Sequence, residues 1–258
     1  MASKYYRVTD WRTRLESVGH SVGVVVAAFL LGYLFTYVVA FVLVGLGFVS
    51  LEAFTNPDVP LPGWVAIVAF IAQFSGFVAA VVAYLAWRDE TDLFEYGVPD
   101  LTDLAWGVAG LVGLFVAAFA VSALIQLLGA ETATNEVVEL GQQNPRLFLY
   151  LIPVTILVVA PAEELLFRGV VQGLFRRAYG VAPAVVFASA LFGVVHWVAL
   201  TGGGSQLTYV AVAGVLGLVL GSVYELTENL VVPVAIHALW NVYVFGSQYL
   251  VATGAAGA

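Results

Sequence analysis

From Val18 to Ser50 the chain carries no Asp, Glu, Lys or Arg, and this one run is longer than the roughly 20 apolar residues that cross a bilayer. Six further apolar runs follow: Trp64 to Trp87, Leu104 to Leu128, Leu147 into Glu163-Glu164, Ala182 to Leu200, Leu207 to Tyr224 and Leu230 to Val251. Backbone amides cannot stay unpaired in hydrocarbon, so such runs fold as helices. The sequence therefore predicts an all-α, polytopic integral membrane protein with about seven transmembrane helices, or eight if the long first run turns back within the membrane. Trp64, Trp87 and Trp106 fall near span ends, where interfacial aromatics collect.

Composition agrees, because 62% of residues are apolar and 10% are charged, against about 25% charged in soluble domains. The absence of cysteine excludes disulfides, thiolate metal sites and a cysteine nucleophile. The net charge of −8 comes from acids in the connections, such as Asp89, Glu90, Asp92, Glu95, Asp100 and Asp103, while Lys4 is the sole lysine. Acid-rich, lysine-poor loops fit a halophilic protein, since concentrated salt screens their repulsion; loss of folding in low-salt detergent would bear this out, and indifference to salt would refute it. No basic stripe is present, so nucleic acid is not an expected partner.

The chain divides into a polar head (1–17), a first set of helices (18–146), a segment bearing the chemistry (147–251) and a tail (252–258). The first apolar run is too long for a cleaved signal peptide and reads as a retained helix. Asn56-Pro57 and Pro60-Leu61-Pro62 predict a break after it. The polar stretch from Gly129 to Pro145 reads as a loop, and His20 as a histidine at the interface. Lys4, Arg7, Arg12, Arg14, Arg88, Arg176 and Arg177 all fall on the side of the N-terminus, and only Arg146 on the other. Because cytoplasmic loops are enriched in Lys and Arg, this predicts a cytoplasmic N-terminus in the cell membrane.

Three charges interrupt the fourth run: Glu163, Glu164 and Arg168. Ionisable groups at membrane depth are costly and usually mark function. Glu164 and Arg168 are spaced i, i+4, which places an ion pair on one helix face, as a structural pair or as part of the site. Pro161 lacks an N–H and predicts a kink where the acids enter. If the chain reverses at Gly180, Glu163 and His196 meet at one depth, 17 residues before and 16 after the turn. His237 and Asn241 stack on one face of the last run. A carboxylate and imidazoles brought together in an inert bundle suggest proton transfer or a metal site. Two histidines and a glutamate (Glu163, His196, His237) are a known set for zinc, but the HExxH helix of common zinc proteases is absent. No aspartate lies in any span, and Ser75 lacks the setting of a rhomboid-type nucleophile.

Glu163-Glu164-Leu165-Leu166-Phe167-Arg168 resembles an EExxxR motif, Phe192 to His196 an FxxxH motif, and His237 to Asn241 an HxxxN motif. Together, in this order on separate spans, they resemble the CPBP intramembrane proteases, which include type II CAAX prenyl endopeptidases and bacteriocin-processing or self-immunity proteins. The resemblance covers Leu147 to Gly246. It implies a helical bundle around a cytoplasm-facing catalytic cavity and hydrolysis of a peptide bond in a membrane-associated, CAAX-type protein or peptide. It also implies that Glu163 is the general base, with His196 sharing its water. Glu164 and Arg168 would hold the geometry, and His237 and Asn241 would serve as oxyanion donors. Such proteins are described both as metalloproteases and as glutamate-activated hydrolases, so a divalent metal and a metal-free site both stay open. The alternatives are a non-hydrolytic immunity or scaffolding protein of the same family and a proton-coupled transporter. Transporters often show an internal repeat, and none is seen.

Overall fold

The protein, described from a computed structural model, is resolved into secondary structure over residues 4–56, 59, 61–90, 92–201 and 203–255. Pro57 and Pro60, two of the expected breakers, lie outside the described residues, as do residues 1–3 of the head and 256–258 of the tail. The chain forms α1 (Trp11–Gly45), α2 (Gly63–Arg88), α3 (Leu101–Leu127), the short α4 (Glu136–Gln143), α5 (Arg146–Tyr179), α6 (Val181–Val195), α7 (Gln206–Thr227) and α8 (Val231–Ala252). A single helical turn, Glu52–Thr55, sits between α1 and α2, and a 3-10 turn, His196–Ala199, continues α6. The only strands among the described residues are β1 (Thr134–Asn135) and β2 (Leu200–Thr201), paired antiparallel.

Six helices (α1, α2, α3, α5, α6 with its 3-10 turn, and α7) are long and apolar enough to cross a membrane. The seventh expected span appears as the 22-residue α8, where His237, Asn241 and Gln248 dilute the apolar character. Their outward surfaces are hydrocarbon: Phe41 of α1 is 80% and Phe119 of α3 81% exposed, which suits contact with lipid rather than water. The protein is an all-α, multi-pass membrane protein.

Two expectations about boundaries need correction. α1 begins at Trp11 rather than at the apolar run, because Asp10 caps it by accepting from the Thr13 amide at 2.9 Å; these bonds hold the Asp10 carboxyl below its usual range. The stretch from Gly129 to Pro145 is also more than a loop. Asn135 caps α4 by accepting from the Val137 amide at 3.0 Å, and Val137 and Leu140 pack on Leu147 and Leu151.

One buried cluster joins Val24 and Ala28 of α1, Phe74 and Phe77 of α2, Phe167 and Val170 of α5, and Ala188 and Phe192 of α6. A second joins Leu114 of α3, Leu220 of α7 and Ile236 of α8. α1 and α2 meet closely because neither Gly32 nor Gly76 has a side chain; a Cβ on Gly76 would overlap the backbone of Gly32.

The reversal expected at Gly180 is present, and the N-terminal segment straps across it. The Val181 and Ala182 amides, in the unpaired first turn of α6, donate to the Lys4 and Tyr5 carbonyls, both at 3.1 Å. At the end of α5, the Arg7 amide donates to the Tyr179 carbonyl at 2.8 Å and the Thr9 hydroxyl to the Ala178 carbonyl at 2.6 Å. Gly180 takes φ 89°, a conformation that costs little only without a Cβ. On the same end of the bundle Arg177 pairs with Asp92 at 2.6 Å and with Glu90 at 3.1 Å. Its guanidinium holds the Asp92 carboxyl below the usual carboxylate range.

Candidate active site

The site is built on α5, which is not a regular α-helix at its middle. Two widened π-helical stretches, Thr155–Val159 and Leu165–Val171, flank Ala160–Glu164. Pro161 cannot donate to the Leu157 carbonyl, and the Ala160 amide just before it reaches back five residues to the Thr155 carbonyl. The expected disturbance at Pro161 therefore takes the form of widened turns, a form common at functional sites.

Within this segment the adjacent acids part company. Glu164 is fully buried; its Oε1 accepts from His237 Nδ1 at 2.8 Å, and its Oε2 lies 3.1 Å from Arg168 Nε. Arg168 is fully buried too, with its guanidinium 4.9 Å from the centre of the Phe192 ring. Glu163 turns the other way and lines a cavity of about 620 Å³ together with His196, His237 and Asn241. Glu164 and Arg168 do not line it; Glu164 meets it through its bond to His237.

The histidine partners set which ring nitrogen faces the cavity. His196 Nδ1 lies 2.7 Å from the Phe192 carbonyl; a carbonyl only accepts, so Nδ1 carries the proton and Nε2 is left with its lone pair. By the same reasoning His237 Nδ1 donates to Glu164, and His237 Nε2 faces Glu163 Oε2 at 3.5 Å. One imidazole is thus held between two carboxylates. Asn241 Nδ2 donates to Thr155 Oγ1 at 2.9 Å, which fixes the amide and leaves its second N–H for another acceptor.

The structure brings Glu163, His196, His237 and Asn241 to one cavity and places Glu164 and Arg168 directly behind it. Phe192 packs edge-on to His196 with ring centres 4.5 Å apart, as a neighbour one turn away should. His20 is remote, packed against Tyr84 and Trp87. Residues not singled out by the sequence also border the site. Thr155 is one, eight residues before Glu163 and so about two helical turns away; Tyr209 is another, its ring stacked 6.3 Å from that of His196. Glu163, His196 and His237, the set considered for a metal, share the cavity, and among the described residues no group of three His, Asp or Glu side chains is already drawn together around one point.

The cavity does not extend toward the basic end of the bundle. The connecting residues that line it, Leu61, Asn135 to Val138 and Leu140, lie at the end opposite Arg176 and Arg177. The helices alternate in direction, and that alternation puts the α3–α5 connection across the bundle from the α5–α6 turn.

The multi-pass helical bundle thus places a carboxylate, two imidazoles and an amide around one internal cavity. Residues 145–243 match the family model described as Type II CAAX prenyl endopeptidase Rce1-like, and this segment, from the start of α5 into α8, is an Rce1-like domain consistent with the CPBP resemblance. α1 to α4 lie outside the match. No curated protein and no solved structure matches the chain.

Proposed function

We propose that the protein is an intramembrane endopeptidase that hydrolyses a peptide bond of a membrane-associated protein or peptide with a water activated by Glu163. The observation that carries this reading is the convergence of Glu163, His196, His237 and Asn241 on one cavity in an otherwise apolar bundle. Glu163, the partly exposed acid, removes a proton from water while His196 Nε2 accepts the other hydrogen bond and orients it. The resulting hydroxide adds to the substrate carbonyl carbon. The oxyanion is met by the free N–H of Asn241 and, when His237 is protonated, by its Nε2–H. Glu164 supports that imidazolium from behind, and Arg168 pairs with Glu164 in turn. Glu163 then returns the proton to the leaving nitrogen as the C–N bond breaks, giving a carboxylic acid and an amine.

The apolar wall contributed by Phe29, Phe70 and Phe77 suits an apolar or prenylated chain. With the basic end in the cytoplasm, as the charge asymmetry favours, the cavity reaches into the outer half of the membrane. The test is to compare wild type with Glu163→Gln on membrane-anchored peptides by mass spectrometry. Cleavage should fall about 10²–10⁴-fold. Wild-type rates in Glu163→Gln would remove Glu163 as the base. Full cellular function of both Glu163→Gln and His196→Ala would point to the non-hydrolytic reading.

A further inference from the structure

Tyr209 of α7 takes no part in the hydrolytic steps, yet it lines the same cavity as Glu163 and His196, and the direction of its hydrogen bond is fixed. Asn135 caps α4 with Oδ1, which accepts from the Val137 amide at 3.0 Å. A backbone N–H only donates, so the amide oxygen of Asn135 is held there and Nδ2 is the atom 3.3 Å from the Tyr209 hydroxyl. The phenol oxygen therefore accepts and its own O–H is left to give; among the described residues no acceptor takes it. The ring is held as well, stacked 6.3 Å from that of His196, while β1 pairs Asn135 with Leu200, four residues beyond His196.

We propose that Tyr209 is a substrate-binding residue whose O–H donates to a peptide carbonyl next to the scissile bond, with Asn135 as the positioning residue that leaves this proton facing the cavity. The proposal rests on the hydrolytic reading of the same site and says how that site holds its peptide. An O–H in a largely apolar cavity is poorly satisfied once water is displaced, and a peptide carbonyl entering there supplies the acceptor. The oxyanion already has its donors, Asn241 and His237 on α8, whereas Tyr209 packs on His196, which holds the water. Its bond is therefore made to a carbonyl that does not react. Such a bond is as strong before bond cleavage as during it, so it lowers KM without raising kcat. Asn135 precedes residues 145–243, so a donor inside the family segment is set by a residue outside it.

Tyr209→Phe keeps the stacked ring and removes only the O–H. In the detergent-solubilised full chain, KM for a fluorescent apolar peptide carrying a membrane anchor should rise about 2- to 10-fold, the size of one neutral hydrogen bond, with kcat little changed. Asn135→Asp keeps the cap of α4 but offers Tyr209 an acceptor in place of a donor, so the proton turns away from the cavity and KM should rise by the same factor. The same change made on top of Tyr209→Phe should add nothing. Replacing the flanking peptide groups of the substrate in turn by an alkene should find one whose loss matters to wild type and not to Tyr209→Phe. Binding of the peptide to Glu163→Gln, read by fluorescence anisotropy, should weaken by that factor when Tyr209→Phe is added, which separates this proposal from the hydrolytic reading. Weakened binding in a protein that cleaves nothing would leave the peptide contact standing and remove the protease. A fall in kcat alone would make Tyr209 a support for His196 and overturn the proposal, as would unchanged KM and binding in Tyr209→Phe, or an Asn135→Asp effect that persists without the hydroxyl.

Discussion

Thr155 Oγ1 accepts a hydrogen bond from Asn241 Nδ2 at 2.9 Å, tying the first widened turn of α5 to the middle of α8. Thr155 is 1% exposed, so this bond is shielded from competing water. It makes Thr155 a positioning residue for the amide assigned to the oxyanion. Thr155→Val keeps the shape and removes the acceptor, so kcat should fall about 10- to 100-fold with little change in KM, and Thr155→Ser should restore it. A loss confined to KM, or no rescue by serine, would refute the role.

Glu164→Gln removes the anion that neutralises Arg168 in a fully buried position. Stranding a buried charge costs about 3–5 kcal/mol, so thermal unfolding in detergent should show a large loss of stability. The double variant Glu164→Gln, Arg168→Met should recover much of that stability and little activity, because His237 would still lack its anionic anchor. If the single variant were as stable as wild type, the pair would not be holding the bundle.

Gly180→Ala should destabilise the protein by about 1–3 kcal/mol. The residue needs positive φ, and an added Cβ would come within 2.8 Å of the backbone of Tyr5 and Arg7. Unfolding followed by tryptophan fluorescence would measure it, and unchanged stability would show that the strap yields at no cost.

Orientation can be read by labelling single cysteines with an impermeant thiol reagent in intact cells. Tyr179 is a poor reporter because it packs beneath Arg14, whereas Tyr96, at the same end, is 76% exposed. With the basic end in the cytoplasm, Gln142→Cys should react in intact cells and Tyr96→Cys only after lysis. The opposite pattern would invert the protein and turn the cavity to the cytoplasm.

Exhaustive chelation should leave peptide hydrolysis unchanged, since Glu163 and His237 approach each other while His196 does not complete a triad of ligands. Loss of activity on chelation, restored by added zinc, would require the three side chains to move together on binding.

Much of this architecture was legible because membrane helices announce themselves by length and polarity. The i, i+4 spacing of Glu164 and Arg168 anticipated their ion pair, and equal distances from Gly180 anticipated that Glu163 and His196 would share a cavity. Contacts between segments far apart in the chain left no such trace. Thr155 and Asn241 are 86 residues apart, and a lone threonine in an apolar helix has no period to single it out. α4 was hidden for a related reason: its apolar contribution is small, and it is held by Leu147 and Leu151 on another helix. The start of α1 was missed because a capping Asp and an amphipathic first turn lie outside the hydrophobic run.

The pairing of Glu164 with Arg168 has a consequence for biogenesis. Both charges belong to α5 and stand one turn apart, so they can neutralise each other inside a single helix before any neighbour arrives. The apolar middle of α5 can therefore leave the translocon with one uncompensated charge, Glu163, at the modest insertion cost of an isolated ionisable group. His237, however, is 73 residues further along, on α8. Until α8 docks, Glu163 lacks the imidazole that stands 3.5 Å from it, and the cavity lacks both His237 and Asn241.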